Sequence, residues 1–137
     1  MAEALISMAI DIKKKRIRVH KPTLHLLGDP KLIQILYDPS NDIIALRSVD
    51  HEVPGGQEVR VRPYNLRGEN CCDFYSSMLI QKLQKIHGTA LGDHTYRLTG
   101  RFIAAQRIAV FPMSTLKQYD PFEEWHHVEE IAASVRN

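Results

Sequence analysis

Leu32-Ile33-Gln34-Ile35-Leu36-Tyr37-Asp38-Pro39-Ser40-Asn41-Asp42-Ile43-Ile44-Ala45-Leu46-Arg47 decides the class of fold. Two runs rich in large apolar and β-branched residues flank a segment where Pro fixes φ and Asx side chains can bond nearby amides. Residues 31–47 are therefore predicted as a β-hairpin, with Asp38–Asp42 as its turn. Upstream, Met8-Ala9-Ile10-Asp11-Ile12 alternates apolar with small or polar residues, and Ile17-Arg18-Val19 continues the pattern. Both read as strand, with Lys13–Arg16 as a connection or an exposed continuation. Between these strands and the hairpin, Pro22-Thr23-Leu24-His25-Leu26-Leu27-Gly28 fits one helical turn, with Pro at its start and Gly28 at C′.

Downstream, His51–Gln57 reads as a loop, and Glu58-Val59-Arg60-Val61-Arg62 alternates so that Arg60 and Arg62 share one strand face. Pro63 ends that strand, and Tyr64–Asp73 reads as irregular. Ser76 can cap a helix whose apolar residues Met78, Leu79, Leu83 and Ile86 recur at three- and four-residue spacings before Gly88. Tyr96–Ile103 and Arg107–Phe111 form a second predicted hairpin. Asp120-Pro121-Phe122-Glu123 then opens a C-terminal amphipathic helix over 120–135, with Phe122, Trp125, Val128, Ile131 and Val135 on one face. The fold class is thus α+β: antiparallel hairpins, one middle helix and one C-terminal helix in a single domain, 1–137. Leu27-Gly28-Asp29 and Leu91-Gly92-Asp93 each precede a hairpin, and Ile44-Ala45 and Ile108-Ala109 keep the same offset of 64 residues. A duplicated unit, at 10–50 and 74–113, is one reading of that spacing, and coincidence is the other.

With 137 residues, 44% hydrophobic and 25% charged, the chain can bury a core and is not compositionally disordered. No apolar run is long enough to cross a bilayer as a helix, and the acid-containing start lacks a basic n-region, so a cytoplasmic location is expected. Adjacent Cys71 and Cys72 supply neither a bridge geometry nor a zinc comb, and are expected as reduced packing residues at a loop edge.

The formal charge is only +2, yet residues 1–67 hold 11 Lys or Arg against 8 acids, whereas 68–137 hold 7 against 8. The surplus concentrates in Lys13-Lys14-Lys15-Arg16-Ile17-Arg18-Val19-His20-Lys21. Lysine and arginine neutralise phosphates and release counterions, which gives affinity without demanding geometry. The candidate nucleic-acid contacts are Lys13, Lys14, Lys15, Arg16, Arg18, Lys21, Arg60 and Arg62, with His20 and His25 flanking the first run and Arg67 following the second. A lysine-guarded edge strand would look the same.

Nothing else competes. No Gly-x-Gly-x-x-Gly or Gly-Lys-Ser/Thr loop exists, and no histidine sits in a recognisable nucleophile setting. His126 and His127 share helix faces with Glu130 and Glu123 at i, i+4, but a third zinc ligand is not evident and a solvated helix face explains them. No catalytic residue, metal or cofactor is expected.

Arg16–Gly28 followed by the hairpin to Arg47 resembles the swapped-hairpin domain of AbrB-type transition-state regulators and MazE-type antitoxins. The resemblance covers residues 10–49. It implies a strand, a short helical turn ending in Leu-Gly, and a hairpin, which dimerise by interleaving strands and touch DNA through basic residues of the early strand and loop. His20 stands where that family commonly has Pro, which comes here at Pro22. The expected function is a non-enzymatic DNA-binding transcriptional regulator, as a homodimer or a pseudo-symmetric monomer. The alternatives are a protein-interaction module without DNA contact, or a small-molecule-binding or enzymatic β-domain.

Overall fold

A computed structural model describes residues 5–63, 70–88 and 91–118. In chain order the elements are β1 (Leu5–Asp11), β2 (Arg16–His20), α1 (Lys21–Leu26), β3 (Leu32–Asp38), β4 (Ile43–Val49), β5 (Gly56–Glu58), β6 (Arg62–Pro63), β7 (Asn70–Tyr75), α2 (Ser77–His87), β8 (Thr95–Ile103), β9 (Ile108–Pro112) and β10 (Lys117–Gln118). All ladders are antiparallel, in the order β5-β3-β4-β9-β8-β1-β2-β7-β6, with β10 added to β8. The path begins and ends on one stretch of chain. Gly56–Glu58 pairs with β3, and Arg62–Pro63 pairs with β7. Between them the Val59 amide donates to the Lys31 carbonyl at 2.9 Å and the Arg60 amide to Cys72 Sγ at 3.3 Å. This segment bridges the two ends of a curled, half-barrel sheet, pairing with β3 at Leu32–Gln34 and with β7 at Asn70–Cys71.

Period-two alternation sets the two faces. Ile6, Met8 and Ile10 of β1, Ile17 and Val19 of β2, Ile44 and Leu46 of β4, and Cys72 and Phe74 of β7 point inward and are buried together. Their neighbours Asp11, Arg16, Arg18 and Asp73 belong to the outer face. The helices cover opposite ends of the strands. Leu24 and Leu27 plug the end reached by β2, whereas Ile80 and Leu83 of α2 plug the other. The α2 N-terminus is fixed beside the β1–β2 turn by the Ser76 amide on the Lys15 carbonyl, and its last residue, His87, reaches Asp42 in the β3–β4 turn.

Most local signals act as expected. The Pro39–Asp42 turn closes the Leu32–Val49 ladder, and the Asp38 carboxylate accepts from the Ser40 and Asn41 amides. Gly28 ends α1 at φ +89°, with its own amide on His25 and the Asp29 amide on Leu24, a Schellman closure that the left-handed residue permits. Ser76 caps α2 through the Leu79 amide.

Four expectations need correction. Asn70–Asp73 is not irregular but the first part of β7, because pairing with β2 overrides the weak strand preference of Asn and Asp. The run Glu58–Arg62 is not one strand: its ends pair to different neighbours, and Val61 is exposed. The α2 stripe facing the core is Ile80 and Leu83 with Leu79, whereas Met78 and Ile86 are exposed. Cys71 and Cys72 lie buried within β7 rather than at a loop edge, as free thiols. The C-terminal helix expected over 120–135 lies outside the described residues, as do Arg67, His126 and His127.

Candidate nucleic-acid interface

The basic run divides into three parts. Lys13, Lys14 and Lys15 form the exposed turn between β1 and β2, with Lys15 in the left-handed region at φ 54°. The turn is pinned by the Lys14 amide on Asp11 Oδ1 at 3.0 Å and the Lys15 amide on the Ile12 carbonyl at 3.3 Å. These bonds use backbone groups and leave the lysine side chains projecting into solvent.

Arg16 and Arg18 follow on the outer face of β2, where strand register sets Arg18 directly opposite Asp73 of β7. Arg18 grips the Asp73 carboxylate with both arms, Nε at 2.8 Å and Nη2 at 3.2 Å. Arg62, arriving on β6, donates to the same carboxylate. Arg16 approaches it at 3.7 Å and bonds Asp11 Oδ2 at 3.2 Å. The side chain of Asp73 is only 3% exposed, against 25% for Arg18 and 56% for Arg62. Burial opposes its ionisation, but the hydrogen bonds from Arg18 and Arg62 and the charges of Arg18 and Arg16 outweigh that and hold the carboxyl below its usual value. Asp73 in turn pushes the Arg62 guanidinium up.

Lys21, the third part, begins α1 at the far end of β2 and is exposed. Arg60 joins none of these groups: it bonds Glu58 at 3.1 Å. His25 bonds Asp29 at 2.9 Å. The eight candidate cations are therefore brought together only in part. Arg16, Arg18 and Arg62 converge, but on a carboxylate of the same chain. Asp73 is the residue that the sequence reading missed; an alternating strand assignment over Asn70–Tyr75 would have set its face, but its pairing with Arg18 depends on β7 lying beside β2.

A second polar cluster joins α2 to the β3–β4 turn. The Tyr37 hydroxyl donates to Asp42 Oδ1 at 2.5 Å, and His87 Nε2 lies 2.9 Å from the same oxygen. Burial, reinforced by Asp42, pushes the Tyr37 hydroxyl up to about 12. Burial also works against Asp42, but the bonds from Tyr37 and His87 prevail and keep it low. The cluster ties a helix end to a turn, with Lys82 Nζ 6.0 Å from the Tyr37 ring centroid. Among the described residues no group of three or more His, Cys, Asp or Glu could hold a metal ion, and no helix is long and apolar enough to cross a membrane.

No family model, curated protein or solved structure matches this chain.

Proposed function

We propose that this protein is a non-enzymatic DNA-binding regulator that contacts duplex phosphates through the Lys13-Lys14-Lys15 turn. The observation that carries the reading is the contrast within the basic run. The arginines are committed to Asp73 and Asp11, while three consecutive lysines stand exposed on a turn pinned by the Lys14 amide on Asp11 Oδ1 and the Lys15 amide on the Ile12 carbonyl. Point charges on a fixed turn suit sequence-independent phosphate contact, and the arginine cluster acts as the foundation that orients it. Lys21 contributes from the far end of β2.

The arrangement of halves supports a pseudo-symmetric monomer. The order strand, helix, Leu-Gly-Asp, hairpin occurs twice, as β2-α1-β3-β4 and as β7-α2-β8-β9. The first strands of the two halves pair with each other, and so do the last strands. That is the pairing an interleaved dimer of single units would make between two chains, and it agrees with the AbrB-type resemblance of residues 10–49. The two Leu-Gly-Asp turns differ in backbone, since Gly28 has a positive φ and Gly92 does not.

Fluorescence anisotropy with a labelled duplex tests the reading. Each phosphate neutralised contributes about −0.9 to the slope of log K against log salt, so replacing all three lysines by Ala should flatten the slope by up to about 3. Absence of binding at low salt, or an unchanged slope in the triple variant, overturns it. A protein-interaction module is favoured instead by one specific observation, the exposure of Tyr75, Met78 and Ile86 on and beside α2. It predicts a partner that survives the triple lysine substitution and is lost on Met78→Asp.

A further inference from the structure

At the end of the sheet opposite the lysine turn lies an open cleft of about 790 Å³. Its floor is apolar, from Leu32, Val49 and Val53, and cations stand around it. Lys31 precedes β3, Arg47 lies near the end of β4, and Arg107 precedes β9. Register places them on neighbouring strands around one end of the sheet, with Lys31 beyond the Leu32–Val49 pair and so about three residues along β4 from Arg47. Arg47 is the ladder partner of Ile108, the residue after Arg107, and Lys31 adjoins Leu32, whose partner is Val49. With strands about 4.8 Å apart and a rise of about 3.4 Å per residue, the Lys31 and Arg47 backbones stand roughly 11 Å apart, so the cations surround the cleft rather than form a row.

Unlike the arginines on Asp73, these cations are mostly uncommitted. Arg47 bonds the neutral Gln34 side chain. Among the described residues, the side chains of Lys31 and Arg107 have neither a hydrogen bond nor an ion pair, and the same holds for Ser48 and Gln106 on the cleft wall. The one carboxylate lining the cleft, Asp50, is bonded to His51 Nδ1 at 2.6 Å. Arg107 is also held in the left-handed region, at φ 51°, where a non-glycine residue is disfavoured. Three cations against one carboxylate leave the concavity net positive, and the concave walls strengthen that field toward an incoming anion.

We infer that this cleft binds a small organic phosphate carrying more than one ionised group, of the nucleoside diphosphate class, with its phosphates on Lys31, Arg47 and Arg107 and its base over Leu32, Val49 and Val53. The spread of the three cations around the cleft favours a diphosphate over a single phosphate, which would meet fewer of them. The apolar floor selects an organic body over pyrophosphate alone. A volume of this size accommodates such a ligand. The site is independent of the DNA reading, because it shares no residue with the lysine turn and lies beyond the other end of β8.

Isothermal titration calorimetry with ADP, pyrophosphate, inorganic phosphate and adenosine tests the assignment. ADP should bind tightest, pyrophosphate more weakly, and phosphate and adenosine least. Removing one charged hydrogen-bonding partner should weaken ADP by roughly ten- to a hundredfold, in Arg107→Ala and in Lys31→Ala alike. Both residues are exposed, so circular dichroism should show each variant folded. The Lys13→Ala, Lys14→Ala, Lys15→Ala triple variant should bind ADP as the parent does. The inference is overturned if neither ADP nor pyrophosphate releases heat, if adenosine matches ADP, or if the cleft variants keep full affinity. Loss of ADP binding in the lysine-turn variant would also overturn it.

Discussion

Replacing Asp73 by Asn keeps the shape of the side chain and removes the charge on which Arg16, Arg18 and Arg62 converge. The cost follows from exposure. Breaking a fully buried ion pair costs about 3–5 kcal/mol, because the surviving charge has no solvent to turn to. An exposed bridge is worth about 0–1 kcal/mol. Asp73 is 3% exposed, but Arg18 at 25% and Arg62 at 56% recover part of their hydration when the carboxylate is lost. The expected loss therefore lies between the two limits, at about 2–3 kcal/mol. Urea unfolding followed by circular dichroism should show it as a lower midpoint with an unchanged slope. The pH dependence has a definite sign. The folded carboxyl titrates below its ordinary value, so its stabilisation is complete above the unfolded value of about 4 and is lost as pH falls through the folded value. The gap between parent and Asp73→Asn should be constant from neutral pH to about 5 and should close only in stronger acid. A cycle with Arg18→Ala should show coupling, since the two share a bidentate contact. A loss under about 0.5 kcal/mol, the range of ordinary surface changes, would refute the idea that this carboxylate anchors the arginines.

Tyr37 should ionise near 12, and Asp42→Asn should lower that value when absorbance at phenolate wavelengths is followed against pH. Because the folded state holds this proton longer, the associated stability is intact below the unfolded value of about 10 and is lost between there and about 12. Gly100→Ala should be severely destabilised, by about 3 kcal/mol or more, since an added Cβ would lie 2.0 Å from the Val110 carbonyl oxygen of β9; chemical denaturation measures it. Cys71 and Cys72 should react slowly with a thiol reagent in the folded protein and rapidly in urea, because burial raises both thiols, Arg18 only partly offsetting this at Cys71 and the Arg60 amide at Cys72.

The hairpins, α1 and α2 were legible because their signals are local. Pro39, the Asx residues of the first turn, Gly28 and Ser76 act within a few residues of themselves. What could not be read depends on partners far away in sequence. Asn70-Cys71-Cys72-Asp73 has little strand preference and becomes a strand because β2 lies beside it. Met78 and Ile86 fit an apolar helical stripe as well as Ile80 does, and only the position of the sheet decides that Ile80 and Leu83 are the pair that sinks. The same limit applies to the candidate interface. Six cations in nine residues are visible to any reader, but whether a cation is free depends on a carboxylate 55 residues away.

That dependence explains why charge in the sequence is a weak guide to which cations are free. On the outer face of β2, alternation presents Arg16 and Arg18 together, and the ladder places Asp73 opposite Arg18 and Asp11 opposite Arg16. Two strands thus supply acids to the strand that supplies bases, and the densest positive segment of the sequence becomes nearly neutral along its strand portion. The lysines escape because a turn has no ladder partner to neutralise them. Lys31 and Arg107 escape for the same reason, since each lies just outside a strand. Arg47 stays within β4, but its neighbour across the ladder is the neutral Gln34 rather than an acid. The lysine turn and the cleft are therefore expected to respond to separate substitutions, since they lie at opposite ends of the sheet with no residue in common.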